Sequence, residues 1–185
     1  LLGSELRRER LSGALTKVAA YRGTTCEIRN ETRDYLLRRI NASGDPSVQR
    51  LEDARTELHM AMFDVVRRLG WQDFELLVDL LFSRTNWRRE QAVGGHEKTV
   101  DLVLFEPVTR MRGAAQVKAQ TDQTQFSDYV ARLSEAGYDQ AFYVYLNGSI
   151  DSSAIVTDII VLGPRELAPL VVDAGLTDWV LQRAM

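Results

Sequence analysis

Three polar side chains, Asp101, Gln116 and Lys118, stand where one hairpin would bring them together. Residues 99–105 and 111–119 are apolar, strand-like runs on either side of Pro107. With residues 107–110 as a four-residue loop, Glu106 faces Met111, and the same pairing carried back along the hairpin sets Asp101 directly opposite Gln116. Lys118, two residues further on, shares that face because side chains in a strand alternate. Val100, Leu102, Leu104, Ala115 and Val117 fall on the other face, where an apolar core is expected. A slip of one residue would separate the carboxylate from the amide, so the prediction depends on the loop. A carboxylate, an amide and an ammonium converging on one face are the makings of a site that binds charge. The competing structural reading is a surface ion pair between Asp101 and Lys118.

The elements that must position these residues are legible from periodicity. Residues 71–82 read as an amphipathic helix with Phe74, Leu77, Val78 and Leu81 on one face. Strands are expected at 87–93, 99–105 and 111–119, a helix at 125–136, and strands at 140–146 and 158–162. Gly163-Pro164 opens a last helix. The order α-β-β-β-α-β-β-α predicts an α/β sandwich around a small mixed sheet. Ahead of it, residues 1–70 read as helical: Leu6, Leu11, Leu15 and Val18, then residues 35–40, then a long helix from Ser47 through Leu58, Met62 and Val65, closed by Gly70. The expected domains are therefore a helical section, 1–70, and an α/β domain, 71–185.

Val100-Asp101-Leu102-Val103 followed by Ala115-Gln116-Val117-Lys118 resembles the active-site hairpin of the PD-(D/E)xK nucleases. It is most similar to the Mrr-type restriction endonucleases, which characteristically carry glutamine in place of the acidic residue before xK. Phe74-Glu75-Leu76-Leu77-Val78 resembles the Phe-Glu helix that precedes the sheet in that family. The resemblance covers residues 71–180 in element order and 74–118 in motifs. The approach to Asp101 departs from the family's glycine- and aspartate-rich pattern, keeping only Gly94-Gly95. The resemblance implies a restriction-endonuclease-like fold and hydrolysis of phosphodiesters with Mg2+ or Mn2+. Asp101, Gln116 and Glu75 would supply oxygen ligands to that hard cation. Lys118 would orient or help deprotonate the attacking water and stabilise charge on the phosphate.

Composition is compatible with such a protein. The 185 residues are 45% hydrophobic and 26% charged, enough for a sizeable core. No stretch approaches the roughly 18 apolar residues of a membrane helix. Cys26 is the single cysteine, which excludes an internal disulfide and a cysteine-rich zinc site. A cytoplasmic protein without a signal peptide is expected. The first residue is not methionine, so a chain missing its first residues or cut from a longer protein is also expected. The net charge of −3 is unevenly spread: residues 1–70 carry 13 Lys/Arg against 10 Asp/Glu, residues 71–120 carry 7 against 7, and residues 121–185 carry 3 against 9.

A nucleic-acid surface should therefore lie in the first two thirds. Arg88 and Arg89 are the best candidates for backbone contacts, with Lys98, Arg110 and Arg112 flanking the hairpin. His59 and His96 have no second histidine at ligand spacing, and Trp71, Trp87 and Trp179 are expected to be core or domain-packing residues rather than base-stacking platforms. Gln120, Thr121, Gln123 and Gln125 either line a groove or form the loop into the next helix. The reading is an endonuclease acting on DNA, with RNA as the alternative nucleic acid, in restriction or defence. Residues 1–70 would serve a homodimer, DNA or a partner protein. The rival is a catalytically inactive nuclease-fold interaction module that works through residues 1–70.

Overall fold

The computed structural model describes residues 11–19, 23, 27–41, 43–90, 100–133, 137–151 and 159–184, with the backbone alone at 18 and 19. Lys98, His96, the Gly94-Gly95 pair, Cys26 and residues 91–93 of the strand expected at 87–93 lie outside the described residues. The chain divides into two compact units, Leu1–Thr56 and Glu57–Met185.

The first unit holds α1 (Gly13–Ala19), α2 (Asn30–Ile40) and the beginning of α3 (Pro46–Val66). Tyr35 of α2 accepts the Ser12 N–H at 3.2 Å through its hydroxyl. Asp45 opens α3, accepting the Ser47 N–H at 2.8 Å and pairing with Arg38 at 3.2 Å. Pro46 then occupies the first helical position, where its missing N–H costs nothing. No residue of α2 is fully buried, and Leu37, Ile40, Val48 and Leu51 are exposed.

The second unit contains the rest of α3, then α4 (Trp71–Arg84), β1 (Arg88–Arg89), β2 (Leu102–Glu106), β3 (Met111–Thr121), α5 (Gln123–Leu133), β4 (Gln140–Gly148), β5 (Ile159–Leu162), α6 (Pro164–Asp173) and α7 (Thr177–Ala184). The five strands lie in the order β1-β2-β3-β4-β5. β1–β2 and β2–β3 are antiparallel, whereas β3–β4 and β4–β5 are parallel, so the sheet is mixed as expected.

Period-two alternation divides the apolar residues between two faces. Leu102, Leu104, Ala115, Val117, Phe142, Val144 and Leu146 join Met62, Val66, the α4 residues Phe74, Leu77, Val78 and Leu81, and Leu167 and Val171 of α6. On the opposite face Tyr143 packs with Phe126 and Tyr129 of α5, the crossover between the parallel strands β3 and β4. This is an α/β sandwich. Met62 is buried and Val65 packs on this core, while Leu58 is exposed.

Three local expectations are corrected. Val100 precedes β2 rather than belonging to it, and packs against the Phe126–Tyr129–Tyr143 cluster, away from Leu102 and Leu104. Trp71 is 56% exposed at the start of α4, whereas Trp87 and Trp179 do pack against the core. The single C-terminal helix is two, separated by a turn in which Gly175 takes a φ of 67°, a left-handed conformation natural to glycine.

Candidate active site

The turn between β2 and β3 sets everything that follows. Glu106 accepts hydrogen bonds from the Thr109 N–H and hydroxyl, both at 2.6 Å, from the Val108 N–H at 3.2 Å and from the Asn86 amide at 3.0 Å. These donors, Thr109 first, hold its carboxyl below the usual range. The turn closes with Arg110 at a φ of 61°. Glu106 then pairs with Met111 and Leu102 with Ala115, which is the register expected from a four-residue loop. Glu106 as the residue that organises this loop was missed by sequence reasoning, although a carboxylate just before a Pro-x-Thr turn is a usable signal.

At the other end of the hairpin the ladder stops at Leu102 and Ala115, and Asp101 meets Gln116 through its side chain. The Asp101 N–H donates at 3.1 Å to the carbonyl of Ala115, already the partner of Leu102, so the regular pairing is not continued to Asp101 and Gln116 as expected. Asp101 Oδ2 accepts both the Gln116 amide and the Val117 N–H, the latter at 2.8 Å. Gln116 is only 4% exposed, so its amide needs a partner, and Asp101 is that partner. Lys118 follows on Gln116's face, since Gln116 pairs with Tyr143 and Lys118 with Tyr145 on the parallel strand. No ion pair joins Asp101 to Lys118, so the ammonium is not spent on the carboxylate.

Asp101 also opens onto a cleft of about 410 Å³, lined by Gln72, Glu75, Leu76, Asp79, Arg89, Leu102 and Val117. Glu75 is exposed on α4, the face turned away from Phe74 and Leu77. Gln72 and Asp79 were missed by sequence reasoning. Their spacing of three and four residues from Glu75 places them on one stripe of the helix, which was the available signal. The paired arginines part company: Arg89 lines this cleft, whereas Arg88, opposite Phe105, belongs to the other face of the sheet. Arg110 and Arg112 lie at the turn end of the hairpin, away from Asp101, and Arg112 pairs with Glu90 at 3.3 Å. Gln123 holds the backbone of Asp151 rather than lining the cleft, donating to its carbonyl at 3.3 Å and accepting its N–H at 2.8 Å. Thr121 is buried against the Tyr143 hydroxyl at 2.6 Å.

The Asp101 charge reaches the α5 side as well. Tyr129 donates its hydroxyl to the Phe142 carbonyl at 2.9 Å, and its phenol is pushed far up, first by burial and then by Asp101. Tyr129 therefore stays a neutral phenol at ordinary pH.

The donors suit a hard cation in kind. Asp101, Glu75 and Asp79 bring carboxylates to one cleft, and the amide of Gln116 presents nitrogen or oxygen according to how it is turned. Among the described residues no three His, Cys, Asp or Glu side chains are gathered into a ready cation cage. A cation there would need ligands from a phosphate and water to fill its shell.

The chain matches no protein-family model and no curated protein. A solved structure, described as DNA modification-dependent restriction endonuclease AspBHI, is similar to it with 13% identity and a TM-score of 0.46. The match covers 68% of this chain and 39% of that one, so this chain spans well under half the length of that protein. Among the described residues no helix is long and apolar enough to cross a membrane.

Proposed function

We propose that this chain is a Mg2+- or Mn2+-dependent endonuclease that hydrolyses DNA phosphodiester bonds, of the restriction or defence kind that the Mrr-like hairpin implies. The observation that carries the reading is the hydrogen-bonded pairing of Asp101 with buried Gln116, two residues before a lysine on the same face that has no ion pair among the described residues. A buried glutamine facing a carboxylate is an uncommon way to build a hairpin, because the amide must be desolvated.

In this reading Asp101, Glu75 and the turned amide oxygen of Gln116 hold the cation. A cation so held would supply charge neutralisation and Lewis acidity towards a phosphate oxygen. Lys118 orients the water whose oxygen joins phosphorus, and its ammonium stabilises charge on the phosphoryl oxygens as the P–O ester bond breaks. Arg89, in the same cleft, holds the neighbouring backbone phosphate.

The test is cleavage of plasmid and of short DNA and RNA duplexes, with Mg2+ titrated from none. Wild type should cut DNA only with metal, and Asp101→Ala should cut at the background rate. Equal cutting by Asp101→Ala would remove the active site from this position. A non-catalytic module would show no cleavage and no metal response in any arm.

A further inference from the structure

A second cavity, of about 240 Å³, lies in the same unit and is lined by Phe63, Arg67, Tyr145, Leu146, Asn147, Gly148 and residues 164–166. Its position follows from the topology. β2 runs antiparallel to β3, so Asp101, just before β2, lies at the end of the sheet where β3 finishes. β3, β4 and β5 are parallel, and Gln120 pairs with Asn147, so β4 ends there too. β5 ends in the same direction and hands the chain to Gly163, Pro164 and Arg165. Asp101, Lys118, Asn147 and Arg165 are thus met in order across one end of the sheet. With strands about 4.8 Å apart, three steps span roughly 14 Å.

The arginines of this cavity have no ion pair among the described residues. Residues 121–185 hold three cations, Arg132, Arg165 and Arg183. Arg132 donates to the Asp128 carbonyl and Arg183 pairs with Asp73, while Arg165 has no ion pair or hydrogen bond among the described residues. Arg67 lies 5.3 Å over the Phe63 ring and likewise has no carboxylate partner among them. Glu166 shares the cavity, but its carboxylate accepts the Gly163 N–H at 3.0 Å. In a stretch that is otherwise acidic, a cavity offering two guanidinium groups with no carboxylate partner among the described residues, beside the Asn147 amide, suits an anion.

We propose that Arg67 and Arg165 form a phosphate clamp for the nucleic-acid backbone, continuing the substrate track from Lys118 across the end of the sheet. This rests on the nucleic-acid reading of the site but not on cleavage. The clamp holds the strand in position without touching the reacting phosphate, so it governs affinity rather than turnover.

The experiment measures binding of a fluorescein-labelled DNA oligonucleotide across a range of salt concentrations for wild type, Arg67→Ala, Arg165→Ala and the double variant. Arg110→Ala, at the turn end of the hairpin, controls for the removal of one positive charge. An arginine that neutralises one phosphate contributes about 0.9 to the slope of log K against log salt, so the double variant should show a slope shallower by up to about 1.8. Binding should weaken at least about tenfold at low salt, with Arg67→Lys/Arg165→Lys restoring part of it. At saturating DNA, cleavage by the double variant should stay within about twofold of wild type. Unchanged affinity and salt slope would overturn the clamp and leave the nuclease reading standing. The expected weakening of binding in a protein that cuts nothing would overturn the nuclease reading and leave the clamp standing. A wild type that binds no nucleic acid overturns the clamp.

Discussion

At the scale of single residues, Asp101, Gln116 and Lys118 should fail in different ways. If the proposed roles hold, Lys118→Ala removes a positive charge from the site, so turnover should fall by about two orders of magnitude or more while metal affinity holds or rises slightly. Calorimetry with Mg2+ beside single-turnover cleavage separates the two effects, and a joint fall of metal binding and turnover would argue against this role. Gln116→Glu adds a carboxylate next to Asp101. It should tighten Mg2+ binding and keep some activity, yet destabilise the metal-free protein, because two carboxylates then face one another with Gln116's buried position between them.

Glu106 gives a prediction in pH. Its carboxyl is held below the usual range, so its contribution to stability is complete at neutral pH and is lost as pH falls through its lowered value. The difference in melting temperature between wild type and Glu106→Gln should be widest at neutral pH and close in acid. A difference independent of pH would detach the turn from the Glu106 charge.

At the scale of elements, the hairpin is held between a turn and a tightly covered face. A Cβ on Gly113 would stand 2.9 Å from the Trp87 indole, which packs edge-on against Phe142 with ring centroids 5.5 Å apart. Gly113→Ala therefore forces the indole to move and should cost about 1–3 kcal/mol in urea unfolding. A neutral result would mean that Trp87 is loosely held. The α5 crossover begins with Asp122, whose carboxylate accepts the Gln125 N–H at 2.9 Å. Asp122→Ala should cost about 1 kcal/mol, the usual penalty for a missing N-terminal cap.

At the scale of the whole molecule, the chain holds one Asp101, hydrogen-bonded to Gln116, and so one proposed site. Cutting both strands of a duplex then calls for two copies or for repositioning. Light scattering should give a mass near that of two chains plus one duplex when duplex DNA is present. A mass of one chain per duplex at every protein concentration would count against paired action. The exposed Leu37, Ile40, Val48 and Leu51 of the first unit are where substitutions by glutamate should reveal such pairing.

What the sequence determined by itself is what short-range geometry encodes. Alternation with a period of two and a four-residue loop were enough to fix the register from Leu102–Ala115 to Glu106–Met111, though not to carry it on to Asp101, because neighbouring strands joined by a tight turn have one register that buries Leu102, Leu104 and Ala115 together. The helical spacing of Phe74, Leu77, Val78 and Leu81 likewise gave the buried face of α4. Only the tertiary structure decided that Glu75, Gln72 and Asp79 would share a cleft with Asp101, and that Val100 would turn to the α5 side while Trp71 stayed exposed. The line from Lys118 through Asn147 to Arg165 was equally beyond the sequence. It depends on the parallel pairing of β3, β4 and β5, strands joined by long connections. Such connections allow many registers at similar entropic cost, so the choice among them is made by packing between residues far apart in the chain.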